Sequence, residues 1–92
     1  MSTRSKARKA ALDILYESDI RNQSAIKLLV DRENSLDYLI REFTKHLVAG
    51  VSENLARIDE IILMRAKGWA IDRMPVVDRN ILRLATYELL ID

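Results

Sequence analysis

From Leu39 onward, apolar residues return at steps of three and four: Leu39, Ile40, Phe43, Leu47, Val51, Leu55, Ile58, Ile62 and Ala66. That spacing puts them along one side of an α-helix, whereas a strand would need alternation. A stripe this long has to be buried against other helices, because on its own it would leave a continuous apolar face in water. The rest of the chain offers little to a sheet, with two glycines, one proline and almost no alternating pattern. The expected fold is all-α, a compact bundle of about five helices. Its 92 residues form one domain.

Local signals divide the bundle. A first helix is predicted from about Thr3 to Ile20, with Ala7, Ala11, Ile14 and Leu15 inward and Lys6, Lys9, Asp13 and Glu17 outward. Arg21-Asn22-Gln23-Ser24 reads as a turn in which Ser24 caps a short helix carrying Ile26, Leu29 and Val30 inward. Asn34-Ser35 ends that helix and opens a third, with the long stripe starting at Leu36. Gly50 and Ser52-Glu53-Asn54 kink or split the stripe into two helices. Arg65 and Lys67 then close a helix at Gly68, and Trp69 folds back on Met64. Asp72 caps a last helix that Pro75 opens and that runs from about Val76. This helix carries apolar residues on more than one side, at Leu84, Leu89, Leu90 and Ile91, and so calls for neighbours on both faces.

Composition narrows the function. Apolar residues make up 49% and charged residues 32%, the balance of a folded globular protein. Without cysteine there is neither a disulfide framework nor a thiolate metal site, which fits a cytoplasmic protein. No apolar run is long enough for a signal-peptide core or a membrane span. The sequence offers no Gly-rich phosphate loop, no paired histidines for a metal and no recognisable triad partner for its single histidine, His46. No catalytic residue, metal site or cofactor is therefore expected. Asp13 and Glu17 read as a solvated face.

The net charge of +1 conceals an uneven distribution. Arg4, Lys6, Arg8 and Lys9 all precede the first acid, Asp13, and sit where a helix N-terminus prefers carboxylates. Cations in that place work against the helix dipole, but they suit a site that meets phosphates; a solvated terminus is the alternative. Arg79, Arg83 and Tyr87 recur at four-residue steps and form either a contact stripe for RNA or protein, or carboxylate bridges inside the bundle. Phe43 and Trp69 read as core in preference to base-stacking platforms, and Tyr16 as core or contact.

These segments resemble the NusB family of bacterial transcription antitermination factors. The likeness is carried by Arg4 to Tyr16, by Leu47-Val48-Ala49-Gly50-Val51, by Ile58-Asp59-Glu60-Ile61-Ile62, and above all by Trp69 to Leu90 with its Asp78-Arg79-Asn80-Ile81-Leu82-Arg83-Leu84 and Tyr87-Glu88-Leu89. The resemblance implies a non-enzymatic helical RNA-binding protein. Such a protein joins NusE, a small-subunit ribosomal protein, on the single-stranded boxA element of ribosomal RNA transcripts within the transcription elongation complex. It also implies RNA contacts at Arg4, Lys6, Arg8 and Lys9. Tyr16 and Asp78 look like contact points for NusE or its surroundings, and Arg79 and Arg83 are further candidates for partner binding.

The chain departs from the family pattern after the Tyr-Glu-Leu helix. Family members continue with a helix bearing an Ile-Asn-Glu-Ala-type motif and a final helix bearing a Phe-Val-Asn-Gly-type motif, and neither motif is present. The expectation is a NusB-like domain without the last two family helices, and a homodimer through the uncovered terminal helix. Two other readings stay open: an RNA-binding piece of a ribosomal RNA cytosine methyltransferase, and a protein-binding helical module with no RNA role.

Overall fold

The computed structural model describes residues 2–35, 39–66 and 70–92, all of whose regular structure is helical. Helix α1 (Thr3–Arg21) starts where Ser2, in extended conformation, accepts the Ser5 N–H with its hydroxyl at 3.1 Å. It stops at Asn22, whose φ of 54° lies in the left-handed region that asparagine tolerates better than most residues. Ala7, Ala11, Ile14 and Leu15 are its buried face, as the spacing predicts.

Helix α2 (Ala25–Glu33) begins where Ser24 accepts the Lys27 N–H at 3.2 Å. Its inward face is Ala25, Leu28 and Leu29, so Leu29 is placed as expected, while Ile26 and Val30 are 38% and 45% exposed. Both triplets satisfy helical spacing; packing against α1 and α3 selects the set that includes the small Ala25. Helix α3 (Glu42–Glu53) opens later than Asn34-Ser35 suggests. Leu39 is 89% exposed, outside the stripe it was expected to join. A helix running unbroken from α2 into α3 would keep the two segments apart, and both have to lie against each other. Leu36, the expected start of the stripe, falls outside the described residues.

The split in the stripe comes at Asn54. Its side-chain N–H donates to the Gly50 carbonyl at 2.8 Å beside its own backbone N–H at 3.1 Å, closing α3 there, and α4 (Leu55–Arg65) follows with Ile58 and Ile62 buried. The joint expected at Lys67, Gly68 and Trp69 lies outside the described residues. Beyond it, a 3₁₀ turn over Ile71–Arg73 contains Asp72, which does not cap the last helix as expected. Pro75 itself holds the capping position of α5 (Val76–Thr86), its carbonyl accepting the Arg79 N–H at 3.0 Å. Proline fits there because the N–H it lacks would have no helical partner. A π turn, Tyr87–Ile91, ends the chain's helical course. It buries Tyr87 and packs Ile91 on the core, while Leu89 and Leu90 face outward, giving this end the two-sided apolar character read from its sequence.

Ile14, Leu47, Val48, Val51 and Ile58 are the innermost apolar side chains, and α3 lies among the other helices. Two close approaches fix that placement. Ala7 is fully buried and small enough for α3 to come in close, where the buried Thr44 hydroxyl donates to the Ala7 carbonyl at 3.0 Å. At Gly50, any Cβ would collide with the Tyr87 ring, so this glycine's role is close approach rather than the kink its sequence suggested. Among the described residues, no helix is long and apolar enough to cross a membrane.

Candidate nucleic-acid interface

The first turn of α1 contains no acid. Arg4, Lys6 and Lys9 are exposed, and Arg8 is half-exposed. The four cations therefore share one end of one helix but are held differently. Arg8 Nε donates to both carboxylate oxygens of Glu88, at 2.9 and 3.0 Å, which draws it toward the terminal turn. The Arg4 guanidinium lies 4.5 Å from the centroid of the Phe43 ring, and that of Arg8 lies 5.7 Å from it. Both separations are within the range of cation–π attraction. Arg4 and Arg8 are one helical turn apart, and Phe43 adjoins the Thr44 that anchors α3 to α1; the Ala7–Thr44 contact thus brings ring and cations together.

Phe43 packs on the core, as expected, with part of it left accessible. His46 was expected to be a bland helical residue. It lies exposed beside Phe43, with ring centroids 6.2 Å apart and planes inclined by 16°. Its Nε2 is 2.9 Å from Asp92 Oδ1 and 3.3 Å from the Tyr87 hydroxyl oxygen. The acidic partner that the linear sequence did not reveal is therefore Asp92, 46 positions away. Burial, then the charges of Asp92 and Glu53, push the Tyr87 phenol above the usual tyrosine range.

A second cluster forms where the C-terminal part of α1 meets α4 and α5. Arg79 donates to Asp19 through Nε at 2.6 Å and Nη2 at 2.5 Å. Asn80, itself buried, adds an N–H to Asp19 at 2.9 Å. Arg83 grips Asp59 with two donors at 2.9 Å and reaches Asp19 at 3.3 Å. The arginine pair realises the second of its two readings, carboxylate bridges inside the bundle, and ties α1 to α4 and α5. Hydrogen bonds from Arg79 lead the causes that hold the Asp19 carboxyl below its ordinary pKa, and burial works against them. Tyr87, the third member of the stripe, is buried.

Tyr16 on α1 and Asp78 on α5 are exposed. Glu17, expected on a solvated face, pairs with Arg32 at 2.7 Å, and Asp13 is exposed. Sequence reading leaves Asp19, Asp59 and Glu88 without a role, and reads Phe43 as core and His46 as a bland helical residue. Each gains its meaning from a partner on another helix, and the only local hint was the one-turn spacing of Arg4 and Arg8.

Residues 5–92 match the sequence pattern of the NusB family. Over 91 residues the chain is 50% identical to the transcription antitermination protein NusB of Saccharopolyspora erythraea, covering 98% of this chain and 62% of that protein. It is 50% identical over 90 residues to the proteins of the same name from Acidothermus cellulolyticus and Nocardioides sp., of which it covers 62% and 67%. The chain thus spans about three fifths of the length of the curated relatives it matches. With nearly all of its own length matched at this identity, the chain belongs to the NusB family.

Proposed function

We propose that this chain is a non-enzymatic, RNA-binding transcription antitermination factor of the cytoplasm. It grips boxA-type single-stranded RNA of ribosomal RNA transcripts and acts with NusE in the elongation complex. One observation carries the reading: a helix N-terminus holding Arg4, Lys6, Arg8 and Lys9 with no acid in its first turn, three of the four exposed, in a chain half identical to antitermination proteins. Exposed cations at that position disfavour the isolated helix and favour a phosphate backbone laid across it.

Tyr16, Asp78, Arg79 and Arg83 are our candidates for the NusE-facing side. Tyr16 and Asp78 act from exposed positions. Arg79 and Arg83 act from behind, fixing through Asp19 and Asp59 how α1 and α5 sit together. Met64 of α4 and Leu90 of the terminal turn line one shallow depression, and Leu63 and Leu89 are exposed on the same two elements; these apolar residues support self-association of this chain, since two copies present identical surfaces to each other.

The test is titration of a labelled boxA-like RNA and a scrambled RNA of equal length, with and without a NusE-type ribosomal protein. The reading expects tighter binding of the boxA-like RNA, further tightened by NusE. It also expects Tyr16→Ala and Asp78→Ala to reduce the NusE effect while leaving RNA binding by the chain alone unchanged. Equal, salt-insensitive binding of both RNAs would overturn it.

A further inference from the structure

Four planar groups from three parts of the chain gather beside the basic end of α1: the Arg4 guanidinium, Phe43, His46 and Tyr87. Phe43 and His46 are nearly parallel at 16°, yet their centroids are 6.2 Å apart. Rings pressed face to face lie about 3.5 Å apart, so at 6.2 Å these two are not in flat contact with each other. Together they form an aromatic shelf. Its inner end is held by the core, where Phe43 packs and where the tilted Tyr87 ring lies 5.9 Å from His46. Its outer end is exposed at Arg4 and His46.

His46 is tethered where an exposed histidine would ordinarily rotate. Asp92 and the Tyr87 hydroxyl both approach its Nε2. Tyr87 is in turn held against Gly50, where no other residue would leave room for it. His46 holds this orientation with its side chain 48% exposed.

We propose that the Phe43–His46 shelf is a stacking site for one unpaired nucleobase, whose flanking phosphates lie against the cations of α1. The inference rests on the RNA reading above and adds to it a contact that phosphate neutralisation does not supply. A base has an apolar face of its own and stacks on an aromatic ring or a guanidinium plane, so the shelf accepts it without regard to its edge. Arg4 serves both functions: its guanidinium lies over the Phe43 ring, and its charge meets the backbone. A single-stranded RNA satisfies these demands, since a duplex keeps its bases stacked inside and offers none to the shelf.

The experiment uses the full 92-residue chain and a set of single-stranded RNA oligonucleotides, each carrying 2-aminopurine or an abasic residue at one successive position. The expected result is one position at which 2-aminopurine fluorescence is quenched on binding, and at which the abasic residue weakens binding about 5- to 100-fold. His46→Ala, at an exposed site, should abolish that quenching and weaken the intact RNA by a similar factor. It should leave unchanged the slope of log affinity against log salt, because stacking releases no counterions. Phe43→Leu should act in the same direction, and the abasic series keeps the test independent of any effect on folding. If the wild-type chain binds RNA with a steep salt dependence but no position is quenched and no abasic residue matters, the shelf is refuted and the phosphate-binding reading stands. If the wild-type chain binds no RNA, both fall.

Discussion

Replacing Asp19 by Asn removes one charge at the point where α1, α4 and α5 are joined. The carboxylate accepts four hydrogen bonds: two from Arg79, one from Arg83 and one from Asn80. Hydrogen bonds to a charged group each contribute about 1.5–3 kcal/mol, but bonds sharing one acceptor do not add. Arg83 keeps Asp59, so the main loss falls on Arg79, whose side chain is only 17% exposed and retains no bidentate partner. Leaving a mostly buried charge unpaired costs about 3–5 kcal/mol, and the residual exposure of Arg79 brings the expected loss to about 3 kcal/mol. For a domain of this size that lowers Tm by roughly 12–24 °C.

Asp19 also sets an acid limit on stability. Its folded pKa lies below its unfolded value, so its contribution is present above the ordinary carboxylate range and is lost as pH falls through the depressed folded value. Thermal melts from pH 7 down to pH 3 should show the wild type losing stability steeply below about pH 4, with Asp19→Asn flatter over the same window. An Asp19→Asn shift under about 4 °C, or the same acid limb in both proteins, would refute the account of Asp19 as the joint of the bundle.

Three further outcomes follow from the same geometry. Glu88→Gln frees Arg8 from its carboxylate and should tighten single-stranded RNA binding several-fold, steepening the salt slope by up to about 0.7; unchanged affinity would mean that Arg8 does not meet the RNA. Gly50→Ala gains about 1 kcal/mol of helix propensity, yet it should still lower stability by about 1–2 kcal/mol in denaturant titration because its Cβ meets the Tyr87 ring, and Tyr87→Leu should reduce that penalty. The 92-residue chain should bind a hydrophobic dye and grow in apparent mass with concentration by light scattering, since Leu63, Met64 and Leu89 are 61%, 68% and 80% exposed; a dye-negative monomer at every concentration would contradict the proposed self-association.

The helices were legible in the sequence wherever a local signal decided them. Ser24 caps α2, Asn54 splits the long stripe, and Ala7, Ala11, Ile14 and Leu15 bury one face of α1, all as spacing and capping chemistry predict. Errors arose where two local answers were equally good and packing chose. Ile26 and Val30 share helical spacing with Leu29, but α2 turns Ala25 and Leu28 inward, and Leu39 continues a period that the chain itself abandons between α2 and α3. The basic end of α1 was visible because its charges oppose the helix dipole. The partners that shape it were not: Glu88 meets Arg8 across 80 positions, Phe43 meets Arg4 only because Ala7 lets α3 approach, and Asp19 looked like any acid near the end of a helix.

The central claim is that the cations of α1 serve RNA rather than the fold, and salt dependence tests it most directly. Arg4, Lys6, Arg8 and Lys9 should all be changed to Gln, and binding of a boxA-like single-stranded RNA measured from about 50 to 200 mM salt alongside a thermal melt. Each phosphate contact on a single strand contributes about −0.7 to the slope of log affinity against log salt, so losing three to four contacts should flatten it by roughly 2–3 units, while the chain still melts cooperatively and loses only the modest contribution of the Arg8–Glu88 pair and the Phe43 contacts. An unchanged slope, or a variant that simply unfolds, would contradict the claim.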